Sequence, residues 1–354
     1  MSYDESAAKK GEWLAGMMPG WKSKLRNLES PDPASRLGYR NRVLLATEFM
    51  SGNWRAGFRQ GDELISIEDC PLHEPGINTL LAMLLPSLPP PSEWPMAYIA
   101  VYGRQLTFVL KDSRIPDLSW FHSGILSQYA GQFNELADGV WLHLHPSAGN
   151  RVFLKFRWEH VYGLKYSTDS SGLAYGPVTF RQNIRDMHIR SIDLAERFLS
   201  PGVGDLVLDL YCGSGGTLRT WLGRGADAIG VELGGEAVTF AGMNAPAARV
   251  FRGKCSERIP QLREQVAEFS CHSAGKGRIL GYLNPPRTGL ELEVLQWLAM
   301  ECNPPKIAYL SCSAGTLRRD LMKFEDFGYS VCGLTPFDFF PYTHHVEVLA
   351  CLER

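Results

Sequence analysis

Three short stretches place reactive groups where strands should begin or end. In Ile307-Ala308-Tyr309-Leu310-Ser311-Cys312 an apolar, strand-like run stops at a cysteine, and a small-residue turn and a basic helix follow. A cysteine that only fills a core belongs mid-strand, whereas reactive groups of α/β proteins stand beyond the carboxyl ends of strands. Asn284-Pro285-Pro286-Arg287 closes another apolar run, and Glu347 opens the last one, in FDFFPYTHHVEVL. A thiolate nucleophile beside a carboxylate base is the minimum equipment for covalent addition followed by proton removal and elimination. Each piece also has a plainer reading: Cys312 as a small packed thiol, Glu347 as a strand-end charge, Asn284 as a partner for an exocyclic amine. Arg287 argues against the last, because an aromatic ring that stacks on a base would be needed in its place. His344 and His345 are further candidate bases; at a strand start they would point to opposite faces, so at most one would reach the site.

A second constellation precedes these. Asp209-Leu210-Tyr211-Cys212-Gly213-Ser214-Gly215-Gly216 follows an apolar strand and opens a helix, and Glu232 ends the next strand, in GVEL. Glycines at such a turn let the backbone approach a ligand closely. The pattern is G-x-G-G rather than the G-x-G-x-x-G of dinucleotide binders. An acid before the loop would repel a pyrophosphate, and an acid after the second strand accepts hydrogen bonds from both ribose hydroxyls. That pair suits S-adenosylmethionine, whose sulfonium is cationic, with another nucleotide on a Rossmann-like fold as the alternative. Asp209, Tyr211, Gly213, Gly215, Glu232 and Asn284 are the candidate cofactor contacts. Lys254-Cys255 stand after the third strand, where an acid near the adenine is usual, leaving adenine recognition to backbone groups.

These residues need a sheet whose strand ends converge. From residue 164 to 354, strands alternate with helical stretches (LVLDL, AIGVEL, ARVFRG, ILGYLNPP, KIAYLSC, YSVCGL, VEVLACLE), after a helix at 184–199. Alternation implies a doubly wound, mostly parallel α/β sheet. The last two strands have no helix between them and read as a terminal hairpin, so the final strand is antiparallel and its beginning lies at the same edge as the ends of the others. Residues 38–163 read as a β-rich α+β domain of short strands (YRNRVLLATEF, WRAGFR, ELISI, MAYIAVYG, QLTFVLKD, VWLHLHP, NRVFLKF), interrupted by one helix, INTLLAMLL. Residues 1–37 form an amphipathic helical lead-in.

The chain of 354 residues is long enough for two domains, and its 45% hydrophobic and 21% charged content is that of a globular protein. No membrane span or leader is expected, and eight cysteines without a C-x-x-C pair suggest reduced thiols in the cytoplasm. A net charge of −2 means that any nucleic-acid face is local. Lys22, Lys24, Arg26, Arg36, Arg40, Arg42, Arg55 and Arg59 are candidates for phosphates, with Tyr39, Trp54 and Phe58 interleaved for stacking; a solvated surface over core aromatics is the alternative.

DLYCGSGG, GVEL, NPPRTGL, YLSCSAGTLRRDL and DFFPYTHHVEVL together resemble the RNA uracil-5-methyltransferase family over roughly residues 165–354. Uracil C5 is a poor nucleophile until a thiolate adds to C6, and a base must afterwards remove the C5 proton so that the thiolate leaves. The resemblance implies a class I methyltransferase fold, Cys312 as nucleophile, Glu347 as the proton-abstracting base, and Tyr211 and Glu232 as cofactor contacts. Phe180-Arg181-Gln182 matches the family's F-x-Q element, which implies that Gln182 lies at the cofactor and base pocket. Asn284 and Arg287 would also touch substrate, and Arg318 and Arg319 would favour the thiolate or hold phosphate. Asn284 stands where most members have aspartate. That departure and the SC-x-A turn resemble the subgroup that acts on 23S ribosomal RNA and lacks an N-terminal β-barrel, as do YRNRV, GFR, CPL, GIN and WLHLHPSAGNRVF. Members often hold a [4Fe–4S] cluster on four cysteines; only Cys70 remains here, so no cluster is expected. The expected protein is a cytoplasmic, monomeric enzyme using S-adenosylmethionine on RNA, 23S rRNA first and tRNA second. An amino-methyltransferase using NPPR and an RNA-binding protein without turnover are the other readings.

Overall fold

The computed structural model describes residues 2–354 except Glu68, Asn150, Arg151, Phe156, Ala274 and Gly275. The chain divides into two compact units, residues 34–183 and residues 1–33 with 184–354.

The chain opens with α1 (Tyr3–Met17), started by a capping box in which Ser2 and Glu5 satisfy each other's backbone N–H groups. A 3-10 turn at Pro19–Lys24 follows. Leu14, Met18 and Trp21 are buried in the core of the α/β unit, which is why residues 1–33 belong to it rather than standing apart as a lead-in.

In the β-rich unit, β1 (Arg42–Met50), β2 (Asn53–Gln60) and β3 (Glu63–Ser66) are followed by α2 (Pro75–Leu84), β4 (Met96–Tyr102), β5 (Gln105–Leu110), α3 (Ser127–Leu136), β6 (Gly139–Leu144) and β7 (Trp158–Gly163). They form one sheet in the order β3-β2-β1-β4-β5-β6-β7, antiparallel except for β5 with β6. The strand expected at NRVFLKF is absent over residues 152–155, and its other positions, Asn150, Arg151 and Phe156, lie outside the described residues. The strand comes one step later, as β7. A π-helical turn at Trp120–Leu126 and α3 were not read in the sequence, having no side-chain cap at either start. The unit ends with the two-residue strands β8 (Ser167–Thr168) and β9 (Ala174–Tyr175), so residues 164–183 belong here and not with the α/β half.

The α/β unit continues with α4 (Arg185–Leu199), β10 (Leu206–Leu210), α5 (Gly216–Gly223), β11 (Asp227–Glu232), α6 (Gly235–Asn244), β12 (Arg249–Arg252), α7 (Cys255–His272) and β13 (Ile279–Leu283). Then come α8 (Leu292–Trp297), β14 (Lys306–Ser311), α9 (Ala314–Asp326), β15 (Ser330–Phe337) and β16 (Glu347–Glu353). The sheet order is β12-β11-β10-β13-β14-β16-β15. β10 to β14 are parallel, and β16 enters antiparallel between β14 and β15. The doubly wound sheet with a terminal hairpin is therefore as expected.

Candidate active site

β14 and β16 set the nucleophile against the base. Ser311 is the last residue of β14 in register with β16, opposite Val348. Continued by one position, that register would set Cys312 against Glu347, whose charge acts on the thiol, and opposed residues of antiparallel strands hold their Cβ atoms about 5 Å apart. Glu347 is only 4% exposed, because β16 has a neighbour on each side and Glu347 is also in register with Phe337 of β15. Cys312 is half-buried. Burial pushes its thiol up, the Glu347 charge pushes it further, and Arg287 opposes both. Arg287, an exposed residue of the NPPR loop, is thus the cation that acts on the thiol. Arg319 is engaged elsewhere: it pairs with Asp320 at 2.7 Å and donates to the carbonyls of Thr288 and Leu290.

The glycine loop turns at the end of β10, which β13 separates from β14. Tyr211, Gly213 and Gly215 all have positive φ, of 64°, 55° and 82°. A Cβ on Gly215 would stand 2.9 Å from Ala241 Cα, so glycine is required there, whereas one on Gly213 would meet nothing within 4 Å. The loop is therefore tight on its helix side and open at Gly213. Beside that opening, Glu232 accepts from the N–H groups of Gly213 (3.1 Å) and Gly234 (2.7 Å). These two bonds fix the carboxylate and leave it lone pairs for further donors. Asn284 is carried alongside, its N–H donating to the carbonyl of Leu210 at 3.2 Å.

Asp209 departs from the role expected of it. It is wholly buried, its Oδ2 accepts from Trp221 Nε1 at 2.8 Å, and Oδ1 has no hydrogen-bond partner. Burial raises its carboxyl pKa to about 7. It braces α5 against the sheet and exposes no surface for a ligand to touch.

One acid was missed. Glu291, just before α8, accepts from Tyr211 Oη (3.1 Å) and from the N–H and Oγ of Ser256 (3.3 and 2.8 Å). It links the aromatic residue of the glycine loop to the first turn of α7, and the only signal in the sequence is an acid at a helix start in GLELEV.

Other expectations also shift. Gln182 is grouped with the β-rich unit, whereas the other candidate site residues share the α/β unit. Tyr39 and Trp54 are buried; Trp54 belongs to the core of the β-rich unit and donates to the carbonyl of Pro89, so neither presents a ring for stacking, while Phe58 is exposed. The basic stretch is divided, with Lys22, Lys24 and Arg26 in one unit and Arg36 to Arg59 in the other. His344 and His345 lie in the turn before β16, with ring centroids 4.2 Å apart, so strand alternation does not separate them.

A family model described as tRNA (uracil-5-)-methyltransferase matches residues 175–354. The chain belongs to this family. An uncharacterized RNA methyltransferase of Thermosynechococcus vestitus is 28% identical over 358 residues, 92% of this chain and 73% of that protein. The 23S rRNA (uracil(1939)-C(5))-methyltransferase RlmD of Marinomonas posidonica is 27% identical over 363 residues, 99% of this chain and 77% of that protein. Among solved structures, the Pyrococcus abyssi tRNA (uracil-54, C5)-methyltransferase in complex with S-adenosyl-L-homocysteine superposes with a TM-score of 0.74 at 20% identity, covering 99% of this chain and 82% of that one. As a member of the uracil-5-methyltransferase family, the chain is an S-adenosylmethionine-dependent RNA methyltransferase. The open glycine loop beside the fixed Glu232 carboxylate fits that cofactor.

Proposed function

We propose that the chain methylates C5 of a specific uridine in RNA, with 23S rRNA as the substrate class, through a covalent adduct on Cys312. The observation that carries this reading is that the β14–β16 register runs up to Ser311 and Val348, next to Cys312 and Glu347, and that the Glu347 charge acts on the Cys312 thiol. Support for the RNA class comes from the RlmD relative, which aligns along nearly the whole chain.

Glu232 and the backbone of Tyr211, Gly213 and Gly215 would hold the cofactor, with Asn284 beside it. S-adenosylmethionine, when bound, supplies an electrophilic methyl group. Cys312 adds to C6 of the uracil, and the C5=C6 electron pair moves onto C5 and O4, making C5 nucleophilic. After C5 is methylated, Glu347 takes the C5 proton, the C5=C6 bond re-forms, and the C6–S bond breaks to return the thiolate. Arg287 favours the thiolate at the outset. Asn284 and Arg287 are the substrate contacts from the α/β unit. A uridine held in folded RNA must be flipped out to reach these groups.

The test is a denaturing gel of protein, S-adenosylmethionine and 5-fluorouridine-substituted 23S rRNA or tRNA transcripts, beside Cys312→Ala. Fluorine at C5 cannot leave as a proton, so a retarded protein–RNA band with the rRNA, absent for the variant, is expected. A band with tRNA alone moves the substrate to tRNA. Methyl transfer to ordinary RNA that survives Cys312→Ala overturns the covalent mechanism in favour of amino-methylation, and RNA binding without any transfer indicates a protein that has lost turnover.

A further inference from the structure

Helix α1 buries a lysine, and its partner stands next to the catalytic hairpin. Lys10 and Asp338 form an ion pair at 2.5 Å with side chains 2% and 0% exposed. Lysine is almost never sealed from water unless it is paired. Here the pairing is dense. Lys10 Nζ also donates to the carbonyl of Phe340 at 2.9 Å, Tyr3 Oη donates to Asp338 Oδ2 at 3.1 Å, and the N–H of Phe340 donates to Asp338 Oδ1 at 3.1 Å. Tyr3 also packs edge-on against Tyr342, whose φ is +63°. Four of these interactions originate from α1 and converge on residues 338–342.

Those residues open the loop that joins β15 to β16. Its two ends are Phe337 and Glu347, which are in register with each other. Asp338 is therefore the first residue past the strand partner of Glu347. The segment after α1 fastens the same place. Arg26 and Glu29 donate their N–H groups to the carbonyls of Leu334 and Pro336, and Asp338 donates its own to the carbonyl of Glu29, at 2.8, 2.8 and 2.9 Å. Residues 25–29 thus run beside β15, joined to it by two isolated parallel bridges, Leu25 with Leu334 and Glu29 with Phe337.

We propose that Lys10 is a positioning residue: through Asp338 and the backbone of Phe340 it holds the Glu347 loop in the geometry that C5-proton removal requires. This rests on Glu347 being the base, as proposed above. A loop held by side chains locked in place keeps a catalytic group within a fraction of an ångström of its working position. Loss of the lock should impair the step that uses Glu347 and spare the steps that use Cys312 and the cofactor.

The experiment compares wild type, Lys10→Met, Glu347→Gln and the double variant Lys10→Met/Asp338→Asn on the ordinary uridine RNA that the wild type methylates. Three quantities are read: formation of the RNA–protein adduct in the first turnover, steady-state methylation, and S-adenosylhomocysteine affinity by calorimetry. Lys10→Met is expected to form the adduct at the wild-type rate and to bind S-adenosylhomocysteine unchanged. It should then accumulate the adduct, as Glu347→Gln does, because steady-state turnover falls roughly 10- to 100-fold, the scale expected of a misplaced catalytic group. The double variant leaves no unpaired buried charge and serves the same comparison if Lys10→Met does not fold. A parallel loss of adduct formation and turnover, or turnover equal to wild type, overturns the positioning role. If Glu347→Gln itself accumulates no adduct, the assignment of the base fails and the role of Lys10 falls with it.

Discussion

Cys312 follows Ser311 and Glu347 precedes Val348, the last residues paired between β14 and β16, and the charge of Glu347 acts on the thiol of Cys312. The thiol is raised above its ordinary value by burial first and by Glu347 second, with Arg287 working against them. Glu347→Gln should move the pH midpoint of Cys312 alkylation downward, and Arg287→Met should move it upward. Peptide-resolved mass spectrometry of iodoacetamide labelling against pH reads both shifts. Opposite or absent shifts would show that the two charges do not govern the thiol.

Asp209 predicts an unusual pH dependence. Its folded pKa of about 7 lies above the unfolded value of 3.8. Below the unfolded value both states hold the proton. As pH rises towards 7 the unfolded chain has released it while the folded chain still binds it, so stability falls through this window. At about 1.4 kcal/mol per unit the loss amounts to a few kcal/mol. Asp209→Asn keeps an acceptor for Trp221 and does not titrate, so the variant should gain on wild type between about pH 4 and about pH 7 in denaturant unfolding. Equal pH profiles would refute the buried, proton-binding carboxyl.

Gly215→Ala should cost stability and cofactor binding together. Alanine at φ +82° is strained by about 1–3 kcal/mol, and its Cβ would lie 2.9 Å from the backbone of Ala241 on α6. Gly213→Ala, at φ +55° with open space around it, carries the strain without the clash. Thermal unfolding with and without S-adenosylhomocysteine should rank Gly215→Ala well below Gly213→Ala.

Asp320 ties the NPPR loop to the nucleophile strand. Wholly buried on α9, it accepts from Tyr309 Oη of β14 at 2.8 Å and from the N–H of Leu290 at 2.9 Å. Asp320→Ala leaves both donors without a partner, which should cost ~2–5 kcal/mol. It should also slow adduct formation by releasing Arg287 from its place near Cys312. Urea denaturation and single-turnover trapping measure the two effects, and a loss of stability without any change in trapping would separate the loop from the chemistry.

Legibility followed the range of the interactions. The glycine loop, the NPPR turn and the strand-end cysteine are local patterns, and the alternation of strand and helix placed them at one edge. The antiparallel last strand, which brings Glu347 to that edge, followed from the missing helix between the final two strands. Lys10 could not be read this way: a lysine on an amphipathic helix looks solvated, and its partner is more than 300 residues away. Asp209 looked like a ligand contact because its place before the glycines was visible while Trp221, which occupies its carboxylate, was not. Trp54 alternated with basic residues like a stacking platform, but its strand turns that face inward. Apolar residues at 152–154 imitated a strand, whereas the described strand is at Trp158–Gly163.

The division of the chain has a consequence for how substrate choice can be exchanged. In the α/β unit the chain leaves at Pro33 and returns at Ile184, and Arg190 bonds to Asp32 at 3.2 Å and to the carbonyl of Ser30 at 3.3 Å. In the β-rich unit Asn41 donates to the carbonyl of Asn183 at 3.4 Å. Each unit therefore closes on itself where the chain crosses, and residues 34–183 are wired in like a cassette. Grafting the corresponding module of a relative between Pro33 and Ile184 would leave every reacting group proposed in the α/β unit on its own scaffold.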